Sequence, residues 1–275
     1  MSERGLPQPS GRDAGSADDR GSSLSSGASA RLVGERGMSQ SPGGGAGPRS
    51  ERDAPDSRLL VATRNAGKLR ELEPMLRAAG FEPVGLHEAG ILEDAAEDGL
   101  EVAETFAGNA LLKARWFHER SGLPTLADDS GLAVRALGGE PGVRSKRFSG
   151  RADLRGRELD AANNDMLLER LGGEQDRRAA FVCAAAVVWG GVELVGEGRV
   201  EGVIVEARDG GHGFGYDPHF QSDELGVTFA EAERTEKERV SHRGRAVRAL
   251  LAQMREAGWR VGGGSQGQVI GGGEG

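Results

Sequence analysis

The chain has 275 residues, a formal net charge of −8 and a single cysteine. The acidic balance gives no electrostatic footprint for duplex nucleic acid, and one thiol excludes an intrachain disulfide framework. With no apolar run long enough to span a membrane, a cytoplasmic protein with no membrane partner is the expectation.

Residues 1–57 are rich in Ser, Gly, Arg and Asp, with runs such as Ser22-Ser23-Leu24-Ser25-Ser26 and Gly43-Gly44-Gly45. Such a segment buries too little apolar surface to offset its ordering entropy, so it reads as a disordered leader. It has no apolar h-region of a secretory signal. Residues 262–275 read as a Gly-rich disordered tail, which leaves 58–261 for one domain with a sizeable core.

Leu59 to Thr63 is a short apolar run that reads as a buried strand. Arg64-Asn65-Ala66-Gly67-Lys68 breaks it. Leu69, Leu72, Leu76 and Ala79 then recur at helical spacing, with Gly80 as the stop and Pro74 as a possible kink. Residues 81–86 read as a second strand and 88–104 as an acidic loop. Thr105 caps a helix whose face is Phe106, Ala110, Ala114 and Phe117, ending before Gly122 and Pro124. A short strand is expected at 124–128, a shaped loop at 137–150, and a helix carrying Leu159, Ala162 and Met166, with Arg170 or Leu171 as its next position. Residues 181–188 and 192–195 flank Trp189-Gly190-Gly191 as a β-hairpin. Ser241 caps a last helix with Ala246, Ala249, Leu250 and Met254 inward, closed by Gly258. Alternating strands and helices followed by a hairpin predict an α/β domain with a mixed, twisted sheet.

The acidic pair Asp128-Asp129 ends one apolar run and precedes another, Leu132 to Val134. Adjacent carboxylates repel unless a cation or a pKa shift relieves them. At the mouth of a core strand they suit Mg2+, which takes one or two carboxylates and leaves other positions to water and phosphate. An acidic turn with an Asp cap fits the same residues. Thr63 to Lys68 runs from strand to helix and offers N–H groups and an ammonium to phosphate, though it lacks the P-loop spacing. Asn109 and Lys113 share a helix face. The Gly210–Asp217 segment lets backbone approach a ligand, and Phe214 offers a flat face to a base. His242 and Arg243 place positive charge in a first helical turn, where an anionic or carbonyl-bearing ligand would compensate it. Cys183, inside an apolar run, reads as a small buried hydrophobe.

Six motifs in this order resemble the inosine triphosphate pyrophosphatase family: Val61 to Lys68; Thr105-Phe106 with Asn109 to Ala114; Leu126 to Leu132; Leu137 to Val143; Gly213 to Pro218; and Lys237 with Ser241 to Gly244. The resemblance covers about Leu59 to Gly258. It implies an elongated α/β fold with a central mixed sheet flanked by helices, two lobes with a cleft, and a homodimer. It implies Mg2+-dependent attack of water on the α-phosphorus of non-standard purine nucleoside triphosphates, giving the monophosphate and pyrophosphate. By position, Asp129 is then the general base and a metal ligand, and Glu101 the second ligand, with Glu104 as its alternative. Thr63, Arg64, Asn65, Ala66, Gly67, Lys68, Lys113 and Ser130 would meet phosphates or sugar. Phe214, Gly215, Tyr216, Asp217, Lys237, His242 and Arg243 would hold the nucleoside, with guanidinium and imidazolium donors selecting a 6-keto base. Arg144 departs from the aromatic frequent in the Gly-Val-x-Ser-x-Arg loop. A Maf-like pyrophosphatase of modified pyrimidine nucleotides and a non-catalytic nucleotide-binding module are the competing readings.

Overall fold

The computed structural model describes residues 57–206 and 212–259, which belong to one compact unit by their internal contacts. The expectations for the leader before Ser57, for the Gly-rich tail, and for Gly210 and Gly211 lie outside the described residues.

Strand β1 (Arg58–Val61) leads into helix α1 (Ala66–Ala78) and strand β2 (Glu82–Gly85). Helix α2 (Phe106–Ser121) follows, then β3 (Thr125–Val134), α3 (Gly156–Arg170), β4 (Arg178–Trp189), β5 (Val192–Ile204), β6 (Phe220–Ser222), α4 (Arg234–Val240) and α5 (His242–Glu256). The sheet is mixed, in the order β2-β1-β3-β4-β5-β6. β1 pairs parallel with both β2 and β3, and every other pairing is antiparallel.

Alternation along β1 decides which helix covers which face. Leu59 and Val61 pack with Leu72 and Leu76 of α1 and with Ala246, Val247 and Leu250 of α5. Leu60 and Ala62 pack with Ala110, Ala114 and Phe117 of α2 on the opposite face. The chain thus leaves β1 for one face and neighbour, then returns over the other face to its second neighbour. In α/β sheets such a switch point, at the carboxyl ends of the strands, opens a crevice for ligands. Here β3 outruns β1: pairing stops at Val61–Leu126, while β3 continues to Val134 and carries the acidic pair past the end of β1.

α5 lies close on β5. A Cβ on Gly198 would stand 2.1 Å from the His242 carbonyl oxygen, and one on Gly196 would stand 2.3 Å from that of Ala246. Only glycine permits this approach, which brings the first turn of α5 down onto the sheet. Inside α1, Pro74 removes the N–H that would bond the Arg70 carbonyl. That carbonyl instead accepts the Arg234 guanidinium at 2.7 Å, and α1 runs on to Ala78.

Several expectations change. β1 stops at Val61, not Thr63, because residues 62–65 form the turn that caps α1. β3 extends past 128 to Val134, so the acidic pair lies within a paired strand and not at its mouth; Asp128 opposes Ala185 and Asp129 opposes Ala184. The hairpin strands are longer than expected, since a register set over twelve paired positions reinforces itself. The acidic loop holds a short 3-10 helix, Ala95–Gly99, capped by Asp94. β6 and α4 were not expected; α4 (RTEKERV) has no apolar period to reveal it. On α3 Leu159 and the C-cap Leu171 are buried as expected, but Asn163, Asn164 and Leu167 take the core positions between them instead of Ala162 and Met166, because two asparagines occupy core-facing positions. On α5, Val247 and Leu251 are buried where Ala249 was expected to be.

Candidate active site

The two acids of β3 point to opposite faces of the sheet, as neighbours on a strand must. Asp128 faces α1 and α5. Its Oδ2 pairs with Lys68 Nζ at 3.0 Å and accepts from Arg243 Nε at 3.0 Å. Burial alone would raise its pKa, but Lys68 and Arg243 outweigh burial and hold the carboxyl far below its usual range. Asp129 faces α2. Its Oδ2 accepts from Asn109 Nδ2 at 3.0 Å, and Lys113 Nζ lies 3.5 Å from Oδ1. Here burial wins, helped by the neighbouring Glu101 charge, and the pKa is raised despite Lys113 and Lys68. Mutual repulsion of the pair is therefore relieved by separation into two environments.

Glu101 joins the Asp129 face. Lys113 Nζ pairs with Glu101 Oε1 at 3.0 Å and donates to the Asp128 backbone carbonyl at 2.6 Å. Burial pushes the Glu101 carboxyl up, but Lys113 and Lys68 bring it below its ordinary value. Glu104, the alternative, is exposed. Asn109 ties the segment down, its Oδ1 accepting from Ala103 N at 2.8 Å. Among the described residues no three His, Cys, Asp or Glu side chains form a metal cluster, so these residues offer no closed cage. Glu101 and Asp129 do converge on one ammonium, and two carboxylates able to share a cation suit Mg2+ completed by water and phosphate.

On the other face a chain of ion pairs continues from Asp128. Arg243 bonds Glu71 through Nη1 and donates to Ser130 Oγ through Nη2 at 2.8 Å. Lys237 Nζ lies 3.1 Å from Glu71 Oε1 and 2.7 Å from Asp217 Oδ2. Burial opposes charge on Lys237, but Asp217 and Glu71 raise its pKa and keep it an ammonium. The half-exposed Phe214 ring lies beside this chain, its centroid 5.3 Å from Lys237 Nζ and 5.7 Å from the Arg243 guanidinium carbon. A Cβ on Gly67 would meet that ring at 2.7 Å, so the start of α1 touches the aromatic directly. Lys68, Asp129 and Lys237, from distant stretches of sequence, thus border one charged array, and the Lys68 charge acts on Asp128, Asp129 and Glu101 alike.

Some expected ligand groups are already engaged. Asn65 Oδ1 caps α1 by accepting from Gly67 N at 2.7 Å and Lys68 N at 3.1 Å, so these two N–H groups are not open to phosphate. Thr63 Oγ1 accepts from Asn65 N, and Ala66 is the first residue of α1. Arg64 forms a two-toothed pair with Glu97 and donates to the carbonyls of Ile91 and Leu92, bracing the acidic loop. Tyr216 is buried, its hydroxyl donating to Ser145 O at 2.8 Å. The imidazolium expected at His242 does not form. Burial first, then Arg243 and Lys237, depress its pKa well below the usual value, and the neutral ring stacks on Phe181 with centroids 4.6 Å apart.

Sequence pattern assigns no role to Glu71, or to Asp128 apart from the pair. Glu71 lies three residues after Lys68 on α1, a same-face spacing that was the available signal.

An array with this order of motifs is matched by a known family. A model of the Ham1 family matches residues 59–253, spanning every element from β1 into α5. The chain belongs to the Ham1 family. Among relatives of this Ham1-family chain, a dITP/XTP pyrophosphatase of Burkholderia pseudomallei is 46% identical over 208 residues, covering 74% of this chain and 96% of the relative. One of Thermus thermophilus is 48% identical over 199 residues, covering 70% and 90%. A solved Ham1 protein of Staphylococcus aureus superposes with TM-score 0.62 at 33% identity, covering 73% of this chain and 99% of its own. A nucleoside-triphosphatase / dITP/XTP pyrophosphatase structure from Mycobacterium abscessus gives 0.55 at 45% identity, covering 70% and 98%.

Proposed function

We propose that this Ham1-family chain hydrolyses nucleoside triphosphates carrying a 6-keto purine, such as ITP, dITP and XTP, to the monophosphate and pyrophosphate with Mg2+. The observation that carries this is the single array in which Asp129 and Glu101 share Lys113 and feel the charge of Lys68, while Lys237 and the Phe214 ring close its far end. Relatives that are dITP/XTP pyrophosphatases support the same reaction class.

Glu101 and Asp129 would hold the metal ion, which when bound neutralises phosphate charge and acidifies water. Asp129, its proton affinity raised by burial, is suited to take a proton from water at Oδ1 while Asn109 fixes Oδ2. Lys68 uses one N–H on Asp128 and has others for phosphate oxygens. Phe214 would stack on the base. Lys237 engages Glu71 and Asp217, and its third N–H can meet a 6-keto oxygen but repels the donor 6-amino group of adenine. Arg243, engaged with Asp128, Glu71 and Ser130, braces this arrangement. The homodimer and cytoplasmic setting implied by the resemblance belong to the same reading; sedimentation at working concentration tests the former.

The deciding experiment incubates the protein with dITP and Mg2+ and identifies the products by ion-exchange chromatography. dIMP and pyrophosphate are expected. Orthophosphate as first product, or binding without turnover, overturns the proposal, as does a faster rate on modified pyrimidine triphosphates.

A further inference from the structure

α3 carries two polar residues on the same helix face, Asp160 and Asn164, and both reach across the fold to one residue of the Phe214 loop, Gly215. Asp160 Oδ2 accepts from Gly215 N at 2.9 Å. Asn164 Nδ2 donates to Gly215 O at 2.9 Å. One residue is thus gripped by both of its backbone groups, from positions one helical turn apart. Asn164 is 5% exposed, and its Oδ1 has no hydrogen-bond partner. A buried amide that leaves its acceptor unpaired is unfavourable for the fold alone; its donor half is what the loop uses. Phe214 N is fixed too, bonded to Asp217 Oδ2 at 2.8 Å. Among these anchored groups the Phe214 ring remains half-exposed, with Lys237 and Arg243 beside it.

We propose that Asp160 and Asn164 are positioning residues that lock Gly215 through the two peptide units flanking it, the first of which it shares with Phe214, so that α3 sets affinity for the nucleobase without touching it. This rests on the reading of Phe214 as the base platform. A platform gains affinity when its ring is already oriented before the ligand arrives, since no ordering entropy is then lost on binding. The contribution belongs to the base and not to the triphosphate, whose charge the proposed reading assigns to Lys68.

Asn163 provides the internal control. It is equally buried, one residue away on α3, but it holds the other loop: its Oδ1 accepts from Ser149 N and its Nδ2 donates to Lys146 O. Loss of either asparagine weakens α3 packing; only loss of Asn164 frees the Phe214 loop.

The test measures kcat and KM for dITP, and inhibition by inorganic tripolyphosphate, a base-free phosphate chain. For Asn164→Ala and Asp160→Ala, KM for dITP should rise roughly tenfold, the scale of one or two lost intramolecular hydrogen bonds. kcat should change by less than about threefold, the pattern of lost binding rather than lost chemistry. Tripolyphosphate inhibition should be unchanged. Asp160→Asn keeps an acceptor oxygen and should restore most of the affinity. Unchanged KM for dITP in Asn164→Ala, a parallel loss of tripolyphosphate inhibition, or the same base-specific loss in Asn163→Ala overturns the proposal. A wild-type protein that releases no pyrophosphate from dITP overturns the site reading itself. That outcome is distinct from wild-type turnover which Asn164→Ala leaves untouched.

Discussion

Asp128 and Asp129 are neighbours in the chain with opposite physical fates. Asp128 sits among α1 and α5 with two cations on one oxygen, and those cations hold it ionised. Asp129 sits under α2, where burial beats its cation and raises its proton affinity. One face of the sheet therefore carries a fixed charge that binds elements together, and the other carries a charge free to change. A β-strand supplies this division at no extra length, because its side chains alternate.

The largest effect tests that division directly. Asp129→Asn should lower pyrophosphate release from dITP by ~10²–10⁴-fold, the usual worth of a general base. Its unliganded thermal midpoint should hold or rise, since a carboxylate whose folded pKa is raised destabilises the folded state at neutral pH. A fall in midpoint together with retained activity would reverse the roles assigned to the two acids.

Asp128→Asn should do the opposite to stability. Removing the carboxylate leaves Lys68 and Arg243 partly uncompensated while buried, which costs about 3–5 kcal/mol when one partner of a buried pair is lost; urea unfolding at neutral pH measures it. The sign with pH follows from the depressed folded pKa. The stabilisation is present above the unfolded carboxylate value of about 3.9 and is lost as pH falls through the lower folded value. The gap between wild type and Asp128→Asn should therefore narrow in acid, and a constant gap would mean that the ion pairs are not its source.

A smaller effect separates the faces through α5. Gly198→Ala forces a methyl toward the His242 carbonyl oxygen and should cost about 1–3 kcal/mol as overpacking. It displaces the turn carrying Arg243 but not α2, so kcat should fall less than in Asp129→Asn. The smallest expected effect is at Cys183. Burial and the Asp128 charge push its thiol up to about 12, so iodoacetamide at pH 8 should leave it unmodified and activity intact. Rapid alkylation would show that the Asp128 face opens to solvent.

The strand–helix alternation, the Thr105 and Ser241 caps and the Gly190–Gly191 turn were legible because each is encoded over a few adjacent residues. Family membership was legible from six ordered motifs, and several of their residues hold the fold together as well: Arg64 braces a loop, Asn65 caps α1 and Tyr216 ties two loops together. α4 and the asparagine face of α3 escaped because polar residues give no apolar period. Glu71 escaped because its partners, Arg243 and Lys237, lie more than 160 residues away in the chain.

The amino-acid order alone set which residues could form strands and helices and which carried charge, since spacing and local chemistry act over a turn or two of chain. It did not set which charges meet. That was decided by packing: β3 running past β1, α5 seated on Gly196 and Gly198, and strand alternation sending one aspartate to two cations and its neighbour to a buried site under α2. The proton affinity of a carboxylate depends on desolvation and on charges within a few ångströms, and those distances exist only once the chain has folded.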